Sequence, residues 1–326
     1  MRILVTGGAG YIGSHVVRLL RERGDEVVVF DNLETGHRAA IGDVPVVVGN
    51  IADSDLITRT CREYGVEAAM HFAAYKAVGE SMERPSRYFA NNVHGTAALI
   101  DGLHQAGIRS FIFSSSAAVY GTPQTLPVSE TNPLHPENPN AESKAMVEQM
   151  LHWFDVCYGM RFASLRYFNA AGASLDAKIG EDFRVATNLV PLVMKAALGK
   201  IPAIQVFGTD YPTPDGTCIR DYIHIVDLAE AHLKALDFLQ AGGNSEIFNL
   251  GIGKGASVKE VINTARRISE IDIPVIYLER RKGDPTAVYA DNTKARTLLH
   301  WEPRYGLEDI IRTAWQWHST HPNGYE

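Results

Sequence analysis

A run of glycines lies seven residues into the chain, between a stretch that reads as a buried strand and one that reads as a helix. Arg2–Thr6 is mostly apolar and β-branched, Gly7-Gly8-Ala9-Gly10-Tyr11-Ile12-Gly13 follows, and apolar residues recur at helical spacing from Ile12 to Arg23. The glycines satisfy two related spacings at once, 8-10-13 and 7-10-13. Glycine lets the chain turn tightly and lets backbone N–H groups approach a pyrophosphate, and the helix N-terminus adds a favourable dipole. The pattern alone is weak, because any tight turn into a helix looks similar. Its context is stronger: Asp31 closes the second strand 18 residues after Gly13. A carboxylate there bonds a ribose diol and repels a 2′-phosphate, which favours NAD over NADP.

The rest of the first half alternates in the same way. Strand candidates are Arg2–Thr6, Glu26–Phe30, Val44–Val48, Ala68–Phe72, Ser110–Ser114 and Phe162–Tyr167. Helical patterns fall between them at Ile12–Arg23, Asp53–Glu63, Ser86–Gln105 and Ala141–Tyr158. This spacing predicts an α/β fold, a doubly wound parallel sheet with helices on both faces. After Asn169 the pattern loosens into Gly- and Pro-rich loops around shorter elements. The expected division is a dinucleotide-binding domain over 1–167 and a smaller substrate-binding domain over 168–326. A segment at about 217–240, with a strand and helix in Tyr222–Leu239, is expected to return to the first.

Composition narrows the partners. A net charge of −7 argues against nucleic acid, since neutralising phosphates requires a basic surface. No run of 18 or more apolar residues occurs, which argues against a membrane span. Met1-Arg2-Ile3-Leu4-Val5 enters a core strand directly, leaving no room for a signal peptide. Cys61, Cys157 and Cys218 are widely spaced and form no Cys-x-x-Cys pair, so they read as reduced, mostly buried thiols of a cytoplasmic protein, and no metal site is expected.

Further blocks carry a resemblance. Val5–His15, His71–Ser81, Phe113–Gly121, Leu165–Gly172, Phe207–Thr213, Arg220–His224 and Arg280-Arg281-Lys282-Gly283-Asp284 together resemble the sugar-nucleotide epimerase branch of the extended short-chain dehydrogenase/reductase family, nearly end to end. The resemblance implies NAD-dependent 4-epimerisation of a UDP-hexose through a 4-keto intermediate, with NAD retained through each turnover. It implies cofactor contacts from Gly7, Gly10, Tyr11, Ile12, Gly13, Asp31, Asn32, Asn50, Ile51, Phe72, Ala73, Ala74, Lys76, Asn91, Ser114, Lys144, Tyr167 and Phe168. The family's Asp-Ile or Asp-Val pair at the adenine reads Asn50-Ile51 here.

For the substrate it implies Lys76, Ser116, Asn140, Asn169, Asn188, Leu189, Gln205, Phe207, Arg220, Tyr222, Arg281, Asp284 and Val288. Arg220 and Arg281 would hold the diphosphate, Phe207 would stack on uracil, and Asp284 would bond its ribose. At position 288, valine is intermediate between the tyrosine of hexose-restricted relatives and the small residue of those that take N-acetylated sugars. A homodimer is also implied, packed through Ser86–Gln105 and Ala141–Tyr158, with Phe89, Val93, Val147, Leu151 and Phe154 at the contact or in the core.

The family's catalytic set is a serine and a Tyr-x-x-x-Lys motif. Here these positions read Ser116, Asn140 and Lys144. Tyrosine is the general base, and lysine on the same helical face lowers its pKa; an amide donates and accepts hydrogen bonds but does not take up a hydroxyl proton. Asn140 follows Pro139 at a helix start, where asparagine makes a good N-cap. The expectation is an epimerase with strongly reduced activity. Alternatives are a non-catalytic binder of NAD and UDP-sugar, or a UDP-glucuronate epimerase or decarboxylase. A 4,6-dehydratase lacks its Asp-Glu pair, because those positions hold Ala117 and Ala118.

Overall fold

The computed structural model describes residues 1–281 and 283–325. Lys282, within the last of the family-like blocks, lies outside them, as does Glu326.

The strands β1 (Arg2–Thr6), β2 (Glu26–Asp31), β3 (Val46–Val48), β4 (Ala68–His71), β5 (Ser110–Ser114) and β6 (Arg161–Tyr167) alternate with helices α1 (Tyr11–Arg23), α2 (Ser54–Tyr64), α3 (Val78–Glu83), α4 (Pro85–Tyr88), α5 (Thr96–Gln105) and α6 (Pro139–Tyr158). Beyond β6 come β7 (Asn169–Ala171), α7 (Leu189–Ala197), β8 (Ile204–Phe207), β9 (Ile219–Arg220), β10 (Tyr222–His224), α8 (Ile225–Gln240) and β11 (Glu246–Leu250). The chain ends with β12 (Ala256–Ser257), α9 (Val258–Ser269), β13 (Val275–Leu278), β14 (Ala287–Val288), α10 (Thr293–Leu299) and α11 (Leu307–Thr320).

Seven strands form one parallel sheet in the order β11-β6-β5-β4-β1-β2-β3. Their buried apolar runs, such as Ile3-Leu4-Val5 and Val28-Val29-Phe30, need cover on both faces. One face packs on α1 and α8 through Val16, Leu20, Leu228 and Leu236, the other on α2, α5 and α6 through Ile57, Leu99, Leu103, Val147 and Leu151. A third core, built from α7, α9 and α11, encloses Val193, Met194, Val261 and Ile310 beside the small sheets formed by β8 with β13 and by β9 with β12 and β14.

Three local features differ from the sequence reading. Ser86–Gln105 is not one continuous α-helix: a π-helical stretch, Phe89–Gly95, separates α4 from α5. The widened turn carries Asn91 into the groove described below, and such turns recur at functional sites. Strand β11 joins the main sheet after α8, so more of the second half returns than the segment ending at 240. Asn140 is not the N-cap of α6. Asn138 caps it, its Oδ1 accepting from Ala141 N at 2.9 Å, and Pro139 takes the first helical position. Proline suits that place because its missing N–H has no intrahelical partner there.

Cys61 and Cys218 are buried, while Cys157 is exposed. Val147 and Leu151 are core residues, whereas Phe89, Val93 and Phe154 are half-buried. Among the described residues no helix is long and apolar enough to cross a membrane.

Candidate active site

All the parallel strands of the main sheet end at one edge, and a groove of about 360 Å³ runs across β1, β2, β4, β5 and β6 there. Its floor is the glycine turn. A Cβ on Gly13 would stand 2.3 Å from the Gly7 carbonyl oxygen, and one on Gly7, whose φ is +70°, would stand 2.4 Å from Ala73 N. These close approaches leave room only for hydrogen, so the backbone itself forms the floor. Gly10 precedes α1 with no side-chain cap, leaving the first-turn N–H groups to an anion. Asp31 is buried at the end of β2, where its carboxylate accepts from Ala9 N (3.0 Å) and Leu33 N (2.8 Å). Burial raises its pKa and those bonds oppose the rise. The groove therefore fits an extended dinucleotide: a backbone cradle for phosphates with a carboxylate next to it.

Every residue that the resemblance implied for the cofactor lines this groove, as do Ser116 and Asn140. Its rim is tied by contacts that the sequence did not suggest. Tyr75 donates to Glu34 at 2.8 Å, and Arg87 pairs with Glu34 at 2.6 Å while its guanidinium lies 4.0 Å from the Tyr75 ring centre. Asn92, on the π-helical stretch, accepts from Tyr75 N and donates to Tyr75 O, both at 3.0 Å, and donates to Ser143 Oγ at 3.1 Å. It thus fastens the loop after β4 to α6. On the opposite wall Lys76 donates to the buried Glu181 at 2.9 Å. Burial alone would lower the Lys76 pKa, but the Glu181 charge and hydrogen bond outweigh it and the ammonium is held above its ordinary value.

At the inner end of the groove, Asn140 and Lys144 share one face of α6, one turn apart, and both are buried. Lys144 Nζ donates to the Ser114 carbonyl at 2.8 Å and lies 4.8 Å from the Phe113 ring centre. Burial lowers its pKa to about 8, opposed by the charge of Glu148. Asn140 is 6% exposed, and its Oδ1 has no hydrogen-bond partner. A buried amide oxygen left this way is costly unless a ligand or water supplies a donor. Ser116 faces the same space and accepts from Ala118 N at 3.1 Å. The Ser114 hydroxyl donates to Tyr167 OH at 3.2 Å.

A second cavity of about 130 Å³ opens from the groove and shares Asn169 and Asn188 with it. Leu189, Gln205, Phe207, Arg220, Tyr222, Arg281 and Asp284 line it. Arg220 bonds the Ile219 and Pro285 carbonyls, both at 2.8 Å, and Asp284 at 3.1 Å. Arg281 reaches Asp284 at 3.5 Å and covers a face of Phe207, its guanidinium 4.1 Å from the ring centre. Two guanidinium groups share one carboxylate, so this trio keeps a positive charge suited to a diphosphate. Val288 does not line either cavity; it packs against the cluster of Ala117, Tyr120 and Phe168. Cys218 and Val258 line the second cavity without a sequence cue. Among the described residues no group of three or more His, Cys, Asp or Glu side chains is placed to hold a metal ion.

Residues 3–251 match the model of the NAD dependent epimerase/dehydratase family. The chain is 47% identical over 326 residues to the UDP-glucose 4-epimerase of Halalkalibacterium halodurans, covering 100% of this chain and 98% of that one. A crystal structure of UDP-glucose 4-epimerase from Stenotrophomonas maltophila, with bound NAD and formylated UDP-arabinopyranose, superposes with a TM-score of 0.96 at 39% identity, over 99% of each chain. The UDP-glucose 4-epimerase of Bifidobacterium longum, in complex with NAD+ and UDP, gives 0.93 at 37% identity over 100% of each chain. A glycine-floored groove, a cationic cavity beside it and similarity along the whole chain agree: the protein belongs to the NAD dependent epimerase/dehydratase family.

Proposed function

We propose that this chain is a UDP-hexose 4-epimerase whose general base has been replaced, so that it binds NAD and UDP-sugar and turns over slowly. Near end-to-end similarity to UDP-glucose 4-epimerases supports the reaction class. The observation that carries the reading is the pairing of buried Asn140, its Oδ1 unpartnered, with Lys144 one turn away at the inner end of the groove.

NAD, when bound, accepts and returns the hydride at C4 of the sugar. The chain's own residues hold and orient. The Gly7–Gly13 turn and the N-terminus of α1 receive the pyrophosphate, Asp31 the adenosine ribose, and Lys144 the nicotinamide ribose. Arg220 and Arg281 clamp the diphosphate of the sugar nucleotide, with Phe207 against the uracil and Asp284 at its ribose. Gln205, Tyr222, Asn169, Asn188 and Leu189 line the way between them. Ser116 bonds the 4-oxygen. Asn140 accepts a hydrogen bond from the sugar hydroxyl but cannot take its proton.

Loss of a positioned base costs about 10²–10⁴-fold in rate, or roughly 3–5.5 kcal/mol of barrier. Initial rates of UDP-galactose to UDP-glucose conversion by this chain and its Asn140→Tyr variant test the reading. A gain of about two decades or more supports it, and equal rates contradict it. No turnover by either protein, with both ligands still bound, would favour a purely binding role.

Helix α6 carries an exposed apolar stripe, Met146, Trp153 and Val156, and α3, which packs on α6, exposes Val78 and Met82. This apolar face supports the homodimer. Val147 and Leu151 belong to the core instead.

A further inference from the structure

Helix α6 presents a third polar residue on the face that carries Asn140 and Lys144. Glu148 lies one turn beyond Lys144 and is 6% exposed. Its Oε1 accepts from Ser115 Oγ at 2.7 Å and from Arg166 Nε at 3.0 Å. Arg166, 3% exposed, donates onward to Tyr120 OH at 2.8 Å. Tyr120 donates to Asn249 Oδ1 at 2.7 Å, and Asn249 donates to the Val128 carbonyl at 2.9 Å. All five side chains are buried, and every link is hydrogen-bonded.

The place of this chain of bonds matters. Ser115 sits between Ser114, whose carbonyl holds Lys144, and Ser116, which faces the sugar end of the groove. Arg166 directly precedes Tyr167, the acceptor of the Ser114 hydroxyl. We infer that Glu148 is a positioning residue of the active site: through Ser115 it sets the Ser114–Ser116 loop against α6, and its charge steadies the Lys144 ammonium that contacts the cofactor. The groups facing Lys144 are Glu148 on its own helix, His71 on β4, and Phe113 and Ser114 on β5, with Tyr167 on β6 reached through the Ser114 hydroxyl. Burial lowers the His71 pKa to about 3, so it is neutral across the working range. The Glu148 carboxylate is thus the charge that opposes loss of the Lys144 proton.

The inference rests on Lys144 contacting NAD, and the test separates the two. NAD affinity of the full chain, freed of cofactor, is measured by calorimetry from pH 6 to 10. The parent is expected to lose affinity through an alkaline limb near the Lys144 pKa of about 8, and Lys144→Met is expected to abolish the limb. Glu148→Gln keeps an acceptor for Ser115 but removes the charge, and the limb should move to lower pH by about half a unit or more. The Glu148→Met/Arg166→Met variant removes both buried charges together and so guards against misfolding caused by an unpaired arginine; its limb should move the same way. Ser115→Ala leaves the ion pair intact and should weaken NAD binding about fivefold with the limb in place, the loss of one hydrogen bond. A limb at the parental pH in the Glu148 variants, or Ser115→Ala binding as tightly as the parent, overturns the inference. A parent with no limb overturns the placement of Lys144 against the cofactor, and the inference with it.

Discussion

Lys144 Nζ donates to the Ser114 carbonyl at 2.8 Å, joining α6 to the end of β5 where the site opens. The bond satisfies one donor of an ammonium otherwise removed from water, and burial still lowers its pKa to about 8. In the unfolded chain the group keeps the ordinary lysine value of 10.5. The folded state therefore sheds its proton first, and stability rises with pH between the two values. Below about pH 8 the full cost of burying the charge applies, about 3 kcal/mol. Lys144→Met, free of cofactor, should be more stable than the parent at pH 7, and the gap should narrow by pH 9.5. Urea midpoints at the two pH values check this, and a gap independent of pH would contradict it.

Acid should destabilise the protein by a separate route. Burial lowers the pKa of His15 and His232 to about 4, and of His71, His224 and His318 to about 3. The unfolded chain takes these protons near pH 6.5 while the folded one refuses them. The stability they confer is present above 6.5 and lost as pH falls toward 3–4, at about 1.4 kcal/mol per pH unit for each net proton. Asp221 and Asp227, raised by burial to about 6, work the other way but are fewer. Denaturation midpoints should drop from pH 7 to pH 5; an unchanged midpoint would show that these histidines are hydrated.

The two asparagines at the start of α6 should respond differently. Asn138 is a hydrogen-bonded cap, and its replacement by alanine should cost about 1 kcal/mol. Asn140→Ala removes an amide oxygen that has no partner, so thermal melts should show a smaller loss or none.

Gly13→Ala and Gly10→Ala should also separate. A Cβ at position 13 meets the Gly7 carbonyl at 2.3 Å and Gly8 Cα at 2.8 Å, whereas at position 10 the nearest contact is 3.3 Å. The first variant should lose about 1–3 kcal/mol of stability, with NAD affinity falling in parallel. The second should fold normally. Calorimetric NAD titration alongside melting reads both.

Trp153, 63% exposed on α6, tests assembly. Trp153→Glu should convert the proposed dimer to a monomer in light scattering while leaving the melting transition of dilute protein nearly unchanged.

Much of the fold was legible in the sequence because strand–helix alternation and a glycine turn have strong local causes. The groove could be placed from that turn and Asp31 alone. The π-helical stretch was not, because its wider backbone turn leaves no mark on the spacing of Phe89–Gly95, and the bonds of Asn92 to Tyr75 and Ser143 form only across elements. Glu148 and Arg166 gave no cue either: a charged residue on a helix and one on a strand are usually solvated, and their pairing exists only after the sheet has formed. Asn140 read as a cap by its place after a proline, yet a second asparagine two residues earlier takes that role.

The most direct measurement is the side-by-side initial rate of UDP-galactose to UDP-glucose conversion by the parent and Asn140→Tyr, with NAD and UDP affinities measured on the same samples. Binding should be unchanged, and the rate higher by about two decades or more in the tyrosine variant. Equal rates at equal binding would mean that another group already carries the proton and that Asn140 does not stand in place of the base.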